Sequence, residues 1–281
     1  MTTLKEGLSY SKPVIIRKVL AHNVEYEFEL IREVVTDGYC FVSMDTEFPS
    51  VIYSPSPKVG RGHLQPSDFY GCFKANVDNL KLIQLGLTLS DVKGNLPDFG
   101  TDTCYIWEFN FCDFDVEHDL HNKDSIDLLR RQGIDFNRNV NHGVHSLHFS
   151  ELMLKSGLVF NKTVTWVTFH GTYDFGYLVK ILTRNNLPNS LEEFLHLLKF
   201  LFGRSVYDMK HMIRYCNGLY GGLECVASIL NVGRTAGKSH QAASDSLLTW
   251  HAFQKMLPLY FSNNEAKNHA GVIFGLEVMS K

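Results

Sequence analysis

Residues 38–49 read Gly-Tyr-Cys-Phe-Val-Ser-Met-Asp-Thr-Glu-Phe-Pro, an apolar strand that ends in two carboxylates, Asp45 and Glu47. Side chains at i and i+2 of a strand share a face, so both acids converge on one spot. Like charges held together resist ionisation unless a partner neutralises them. Hard divalent cations favour several carboxylate oxygens and remove the conflict. Any fold built on this strand must bring positive charge to its end.

Two further acids lie far downstream in apolar settings. Asp174 sits in His170-Gly-Thr-Tyr-Asp-Phe-Gly-Tyr-Leu178, where a helix begins after a buried strand. Asp245 sits in Gln241-Ala-Ala-Ser-Asp-Ser-Leu-Leu248, a small-residue stretch leading into an apolar helix, with His240 just before it. Phosphodiester hydrolysis needs an activated water, in-line geometry and stabilised charge on the attacking and leaving oxygens. Two divalent ions about 3.5–4 Å apart meet all three needs. Asp45, Glu47, Asp174 and Asp245 roughly neutralise two such ions, and His240 would supply a general base of suitable pKa.

Each piece taken singly has a structural alternative. Asp45 and Glu47 could form a solvated strand edge, and Asp174 could complement a helix dipole. Asp245 suits plain helix packing, and His240 a satisfied surface or core position. Asp208, in Val-Tyr-Asp-Met-Lys, reads first as a helix cap and second as support for the site. His142, His145 and His148 recur every three residues in a loop-like segment and read as a solvated face rather than a zinc site. Gly221-Gly222 and Gly233 through Gly237 lack phosphate-loop spacing. No G-x-S-x-G elbow or cysteine nucleophile motif is present.

The opening strand spans 14–20, followed by a helix from Asn23 to a C-cap at Gly38. Residues 54–68 read as a surface loop, and 81–89 and 103–111 as neighbouring strands. Helices are predicted near 123–132 and 147–157, and a buried strand at 166–169. The remainder reads as helices near 173–184, 190–201, 208–217, 221–230, 241–257 and 264–278. This order predicts an α/β fold, a mixed sheet flanked by helices, in a single domain. An apolar fraction of 44% and a net charge of −3 are ordinary for a globular protein and argue against coating nucleic acid through bulk charge. The six cysteines form no C-x-x-C pair and read as free thiols. Without a charged-then-apolar leader, and with no run approaching the ~18 apolar residues of a membrane span, the expectation is cytoplasm and nucleus and no membrane.

In combination these segments resemble the DEDDh exonucleases of the RNase H-like fold and, more closely, the CCR-associated factor (Caf/Pop) deadenylases. The resemblance rests on Phe41-Val-Ser-Met-Asp-Thr-Glu-Phe-Pro49, Asn76-Val-Asp-Asn-Leu-Lys-Leu-Ile-Gln-Leu-Gly-Leu-Thr88, Trp107-Glu-Phe-Asn-Phe111 and Asp124-Ser-Ile-Asp-Leu-Leu129. It continues through Trp166–Leu178, Gly221-Gly-Leu223 and His240–Thr249, running in order from about 14 to 278. It implies that Asp45 bridges two Mg²⁺ or Mn²⁺ ions, that Glu47 and Asp245 hold the ion carrying the nucleophilic water, and that Asp174 holds the other. His240 would deprotonate that water. A poly(A)-specific 3′-to-5′ exoribonuclease that releases 5′-AMP is implied, working in the CCR–NOT complex between a scaffold subunit and a second nuclease. Phe48 could stack on bases of the poly(A) tail or serve as a core residue. Leu20 stands where family members commonly have tryptophan, and Ala243 where many have glycine. Two other readings are a non-catalytic adaptor, which would usually lack one of the acids, and a DEDDh exonuclease acting on DNA or other RNA ends.

Overall fold

The computed structural model describes residues 12–54, 66–262 and 265–277. Six strands form one mixed sheet in the order β1-β4-β3-β2-β5-β6. They are β1 (Val14–Val19), β2 (Phe41–Glu47), β3 (Gln84–Ser90), β4 (Cys104–Asn110), β5 (Thr165–Thr168) and β6 (Val206–Asp208). β3 runs antiparallel to both neighbours, whereas β1 with β4, β2 with β5 and β5 with β6 are parallel. The strand bearing the paired acids is therefore central, and the expected RNase H-like mixed sheet flanked by helices is what the chain forms.

The alternation of β2 sorts its side chains between two cores. Val42 and Met44 pack with α1 (Val24–Thr36), α5 (Ser146–Leu154), α6 (Thr172–Thr183) and α7 (Leu191–Phe202). Phe41 belongs to the opposite layer, with α8 (Met209–Met212), α9 (Leu223–Ile229) and α10 (Ala242–Tyr260). By the same alternation Asp45 and Glu47 face the α10 side. α10 is buried at nearly every position from Ala242 to Phe253, which is why its apolar residues show little helical periodicity. It sits directly on β3: a Cβ added at Gly86 would lie 2.1 Å from the Ala242 carbonyl carbon. Thr88 and Ser246 join the same two elements through a buried 2.9 Å hydroxyl pair.

Several local expectations need correction. α2 (Pro66–Asn79) begins inside the segment read as loop, with proline at its first position, where a missing N–H costs nothing. Residues 55–65 of that segment lie outside the described residues. The far end of α2 is closed by Lys180, which donates to the carbonyls of Val77, Asp78 and Leu80 at 2.8, 3.0 and 3.0 Å. The loop-like stretch 139–143 is instead mostly α4 (Phe136–His142), capped by Asp135 accepting from Arg138 N. α3 (Lys123–Arg131) was expected and is capped by Asn122. The helix expected at 264–278 is a single 3-10 turn, Ala266–His269, followed by irregular chain. There Gly271 N–H donates to Val206 O and Val272 bridges Tyr207, so the backbone is spent on β6 rather than on helix. The helix expected at 208–217 is reduced to α8 and a 3-10 turn, Ile213–Tyr215. All six cysteines are free, as expected. No helix among the described residues is long and apolar enough to cross a membrane.

The contact at Gly86 makes opposite expectations for two glycines. Gly86→Ala should cost ~1–3 kcal/mol, because backbone stands where the methyl must go. Gly71→Ala, exposed within α2 with nothing within 4 Å, should gain ~0.5–1 kcal/mol from helix propensity. Urea unfolding of both variants checks the pair; equal midpoints would deny the close approach its role.

Candidate active site

The sequence-singled acids meet at the end of β2, between the first turns of two helices on opposite faces of the sheet. Asp45 and Glu47 come from the strand itself. Asp174 lies in the first turn of α6, which follows β5 directly because β5 is parallel to β2. Asp245 lies in the first turn of α10. Both helix N-termini direct partial positive charge at the carboxylates they carry. Glu47, Asp174 and Asp245 are buried and Asp45 is half-buried.

Crowding and burial set the electrostatics. Burial pushes the Asp45 carboxyl well above the usual range, and the neighbouring charges of Asp174, Asp245 and Glu47 add to it. Glu47 is raised well above its usual value by burial first and then by Asp245 and Asp174. Asp174 is pushed up to about 7 by burial, against the opposing hydrogen bond from Thr46. That bond runs from Thr46 Oγ1 to Asp174 Oδ1 at 2.5 Å and fixes the rotamer of the acid. Asp245 is raised by burial and pulled back by Arg234.

His240 is exposed in the turn before α10 and holds a left-handed φ of 57°. Its backbone N–H donates to Asp245 Oδ2 at 2.9 Å. One ligand-capable atom from each of Glu47, His240 and Asp245 lies within 4.8 Å of the others. All five singled-out residues thus belong to one cluster.

Arg234 went unnoticed in the sequence. Its Nη2 donates to Asp245 Oδ1 at 2.5 Å and also to Glu224, while Nη1 donates to Ser244 Oγ at 2.5 Å. The guanidinium supplies part of the positive charge that the acids demand, at Asp245. Its carboxylate partners lie ten or more residues away in the chain, so no local pattern marks it. Thr46 and Gly86 were also missed, although Thr46 stands between the two acids.

Asp208 caps α8, as read from sequence, and does more. Fully buried, it accepts from His170 N at 2.8 Å, Gly171 N at 3.1 Å, Lys210 N at 2.9 Å and Phe274 N at 3.0 Å. It anchors the turn that leads into Asp174. Phe48 is half-buried and stacks on Tyr173, with ring centroids 5.0 Å apart, and the tilted Tyr177 ring lies 5.2 Å away. Lys210 and Arg214 are engaged with Gly221 O and Glu277 respectively. His145 caps α5, His142 is exposed and His148 is half-buried. Of the two departures from the family pattern, Ala243 is buried at the start of α10 and Leu20 lines a cleft beside β1.

Residues 19–162 match the CAF1 family ribonuclease, just over half of the chain. CCR4-associated factor 1 homolog 10 of Arabidopsis thaliana, a probable assignment, is 47% identical over 98% of this chain and 95% of its own length. Poly(A) ribonuclease pop2 of Schizosaccharomyces pombe is 39% identical, covering 98% of this chain and 82% of its own. The Mg²⁺- and Mn²⁺-bound structure of S. pombe Pop2p superposes with a TM-score of 0.84 at 38% identity, over 93% of this chain and 99% of that one. A yeast CAF1 co-crystallised with the NOT1 MIF4G domain gives 0.74 at 32%, over 92% and 96%. This chain belongs to the CAF1 family of ribonucleases.

Proposed function

We propose that this chain is a divalent-metal-dependent 3′-to-5′ exoribonuclease that shortens poly(A) and releases 5′-AMP. The carrying observation is the convergence of Asp45, Glu47, Asp174 and Asp245 with His240 at one strand end. The donor set fits hard cations: four carboxylates, raised chiefly by burial, and one imidazole at the rim. Bound Mg²⁺ or Mn²⁺ in two positions would supply an activated water and offset charge on the attacking and leaving oxygens. Asp45, Glu47, Asp174 and Asp245 would hold these ions. His240, exposed and held by its own N–H to Asp245, accepts the proton of the attacking water on an imidazole nitrogen. Thr46 and Arg234 keep Asp174 and Asp245 from turning away. Phe48, half-buried against Tyr173 and Tyr177, offers its exposed part to a base, an interaction of ~1–3 kcal/mol. The poly(A) ribonuclease relative supports adenine tails as substrate, and the CAF1 relative bound to a NOT1 domain supports a scaffold subunit of a CCR–NOT complex as partner. A second nuclease subunit joins that assembly in this reading.

A 5′-labelled RNA with an A-tail should shorten from its 3′ end with Mg²⁺ or Mn²⁺ and remain intact with chelator, while poly(U) and single-stranded DNA of equal length persist. Asp45→Asn should abolish trimming. His240→Ala should lose rate and keep Mn²⁺ affinity; loss of that affinity would make His240 a ligand instead.

Arg234 and the metal supply the same charge, so their contributions to stability should overlap. Arg234→Gln should lower stability by ~2 kcal/mol in chelator, the scale of a lost charge-assisted hydrogen bond, and by less with Mn²⁺ present. An equal loss in both conditions would make Arg234 a packing residue only.

The raised carboxyls also fix a pH dependence. A group whose folded pKa is raised binds more protons folded than unfolded, so its stabilising effect is lost as pH rises through the folded value. In chelator, thermal stability should fall as pH rises from about 4 to about 7, the window set by Asp174. Metal needs the deprotonated acids, so the stabilisation by Mn²⁺ should grow across the same window. Melting curves over a pH series, with and without Mn²⁺, read both slopes.

A further inference from the structure

A cleft of about 210 Å³ opens beside the carboxylates, lined among others by Gln84, Asn110, Lys18, Leu20, Asp135 and Arg138. It belongs to the same edge of the sheet as the acids. Glu47 pairs with Gln84 across β2 and β3, and Gln84 pairs with Asn110 across β3 and β4. The two amides are buried and joined, Gln84 Nε2 donating to Asn110 Oδ1 at 2.7 Å, and form a polar floor running away from Glu47. β1 is next along this edge and carries Lys18. Strands lie ~4.8 Å apart, so β1 stands about 14 Å from β2.

Among the described residues, most arginines and some lysines are tied up. Arg17 pairs with Glu27, Lys74 with Asp78, Lys81 with Asp119, Arg130 with Asp127, Arg184 with Glu151 and Arg214 with Glu277. Lys18 and Arg138 are exposed on either side of the cleft, and among the described residues neither side chain makes a hydrogen bond or ion pair. Lys18 does lie across from the buried Glu108, whose upward shift it partly offsets. Of the acids at the cleft, Asp135 has one carboxylate oxygen committed to Arg138 N. Two cations with open donors at the mouth of a polar cleft call for an anion rich in acceptor oxygens.

We infer that this cleft holds backbone phosphates of the RNA strand on the 5′ side of the bond being cut, with Lys18 and Arg138 as the contacting groups. The inference rests on the proposed 3′-to-5′ direction. Beyond the scissile phosphate a 3′ end carries one nucleoside and no further phosphate, so cations three strands from the acids can serve only the upstream chain. They also offset the repulsion that a polyanion meets at four clustered carboxylates in a protein of net charge −3.

The test is a Lys18→Gln/Arg138→Gln double variant, whose exposed positions leave the core intact. Binding of fluorescent oligo(A) is measured by anisotropy against salt, with Ca²⁺ replacing Mg²⁺. For long oligonucleotides the variant should bind about 10-fold more weakly, and the slope of log affinity against log salt should fall by about 1.4, at ~0.7 per phosphate released on single strands. Trimming of long A-tails should show a raised KM at unchanged kcat, while an oligonucleotide too short to reach β1 should be bound and cut as by wild type. An unchanged slope and affinity, with wild type trimming normally, overturns the inference, and so does equal weakening for short and long oligonucleotides. Inorganic phosphate or AMP competing with wild type but not with the variant, at unchanged RNA slope, would make the cleft a free-anion site and likewise overturn it. Failure of wild type to trim any RNA would instead sink the proposed activity, while the salt slope still reports on the cleft.

Discussion

The first turn of α10 rests on bare backbone at Gly86, and the arrangement of the acids follows from that contact. A helix held off by one methyl would carry Asp245 away from β2, and the small residues Ala242, Ala243 and Ser244 serve the same approach from the other side. The cost of burying four carboxylates at one strand end is visible in their uniformly raised proton affinities. Geometry that is favourable for packing thus creates an electrostatic deficit, and that deficit makes the strand end a cation site.

The central strands were legible because burial on both faces leaves runs such as Phe41–Met44 and Trp166–Val167 with little competing interpretation. Asp45, Glu47, Asp174, His240 and Asp245 were legible for a related reason: each interrupts an apolar or small-residue stretch where a charge needs explanation. α4 was obscured by Asn137, Asn139 and Asn141, residues that favour turns locally, and formed because Asp135 caps it and Phe136 is buried. The C-terminal stretch had a helical pattern of apolar residues, but Gly271 and Gly275 adopt positive φ and the backbone pairs with β6 instead.

Arg234 shows the limit of local reading most clearly. It lies in a glycine-containing loop with no periodicity, and its importance comes wholly from a fold that returns Asp245 and Glu224 to it. Phe48 marks a different limit. Its position after Glu47 suggested either a base platform or a core residue, and its stacking on Tyr173 leaves it half in each role.

Asp208 gathers N–H groups from the turn at His170 and Gly171, from α8, and from Phe274 near the end of the described chain. During synthesis the last of these donors emerges from the ribosome more than a hundred residues after the turn it helps to hold. Until then the loop leading to Asp174 lacks one of its anchors. A nascent chain of this protein therefore completes the anchoring of its acidic centre only after Phe274 has left the ribosome.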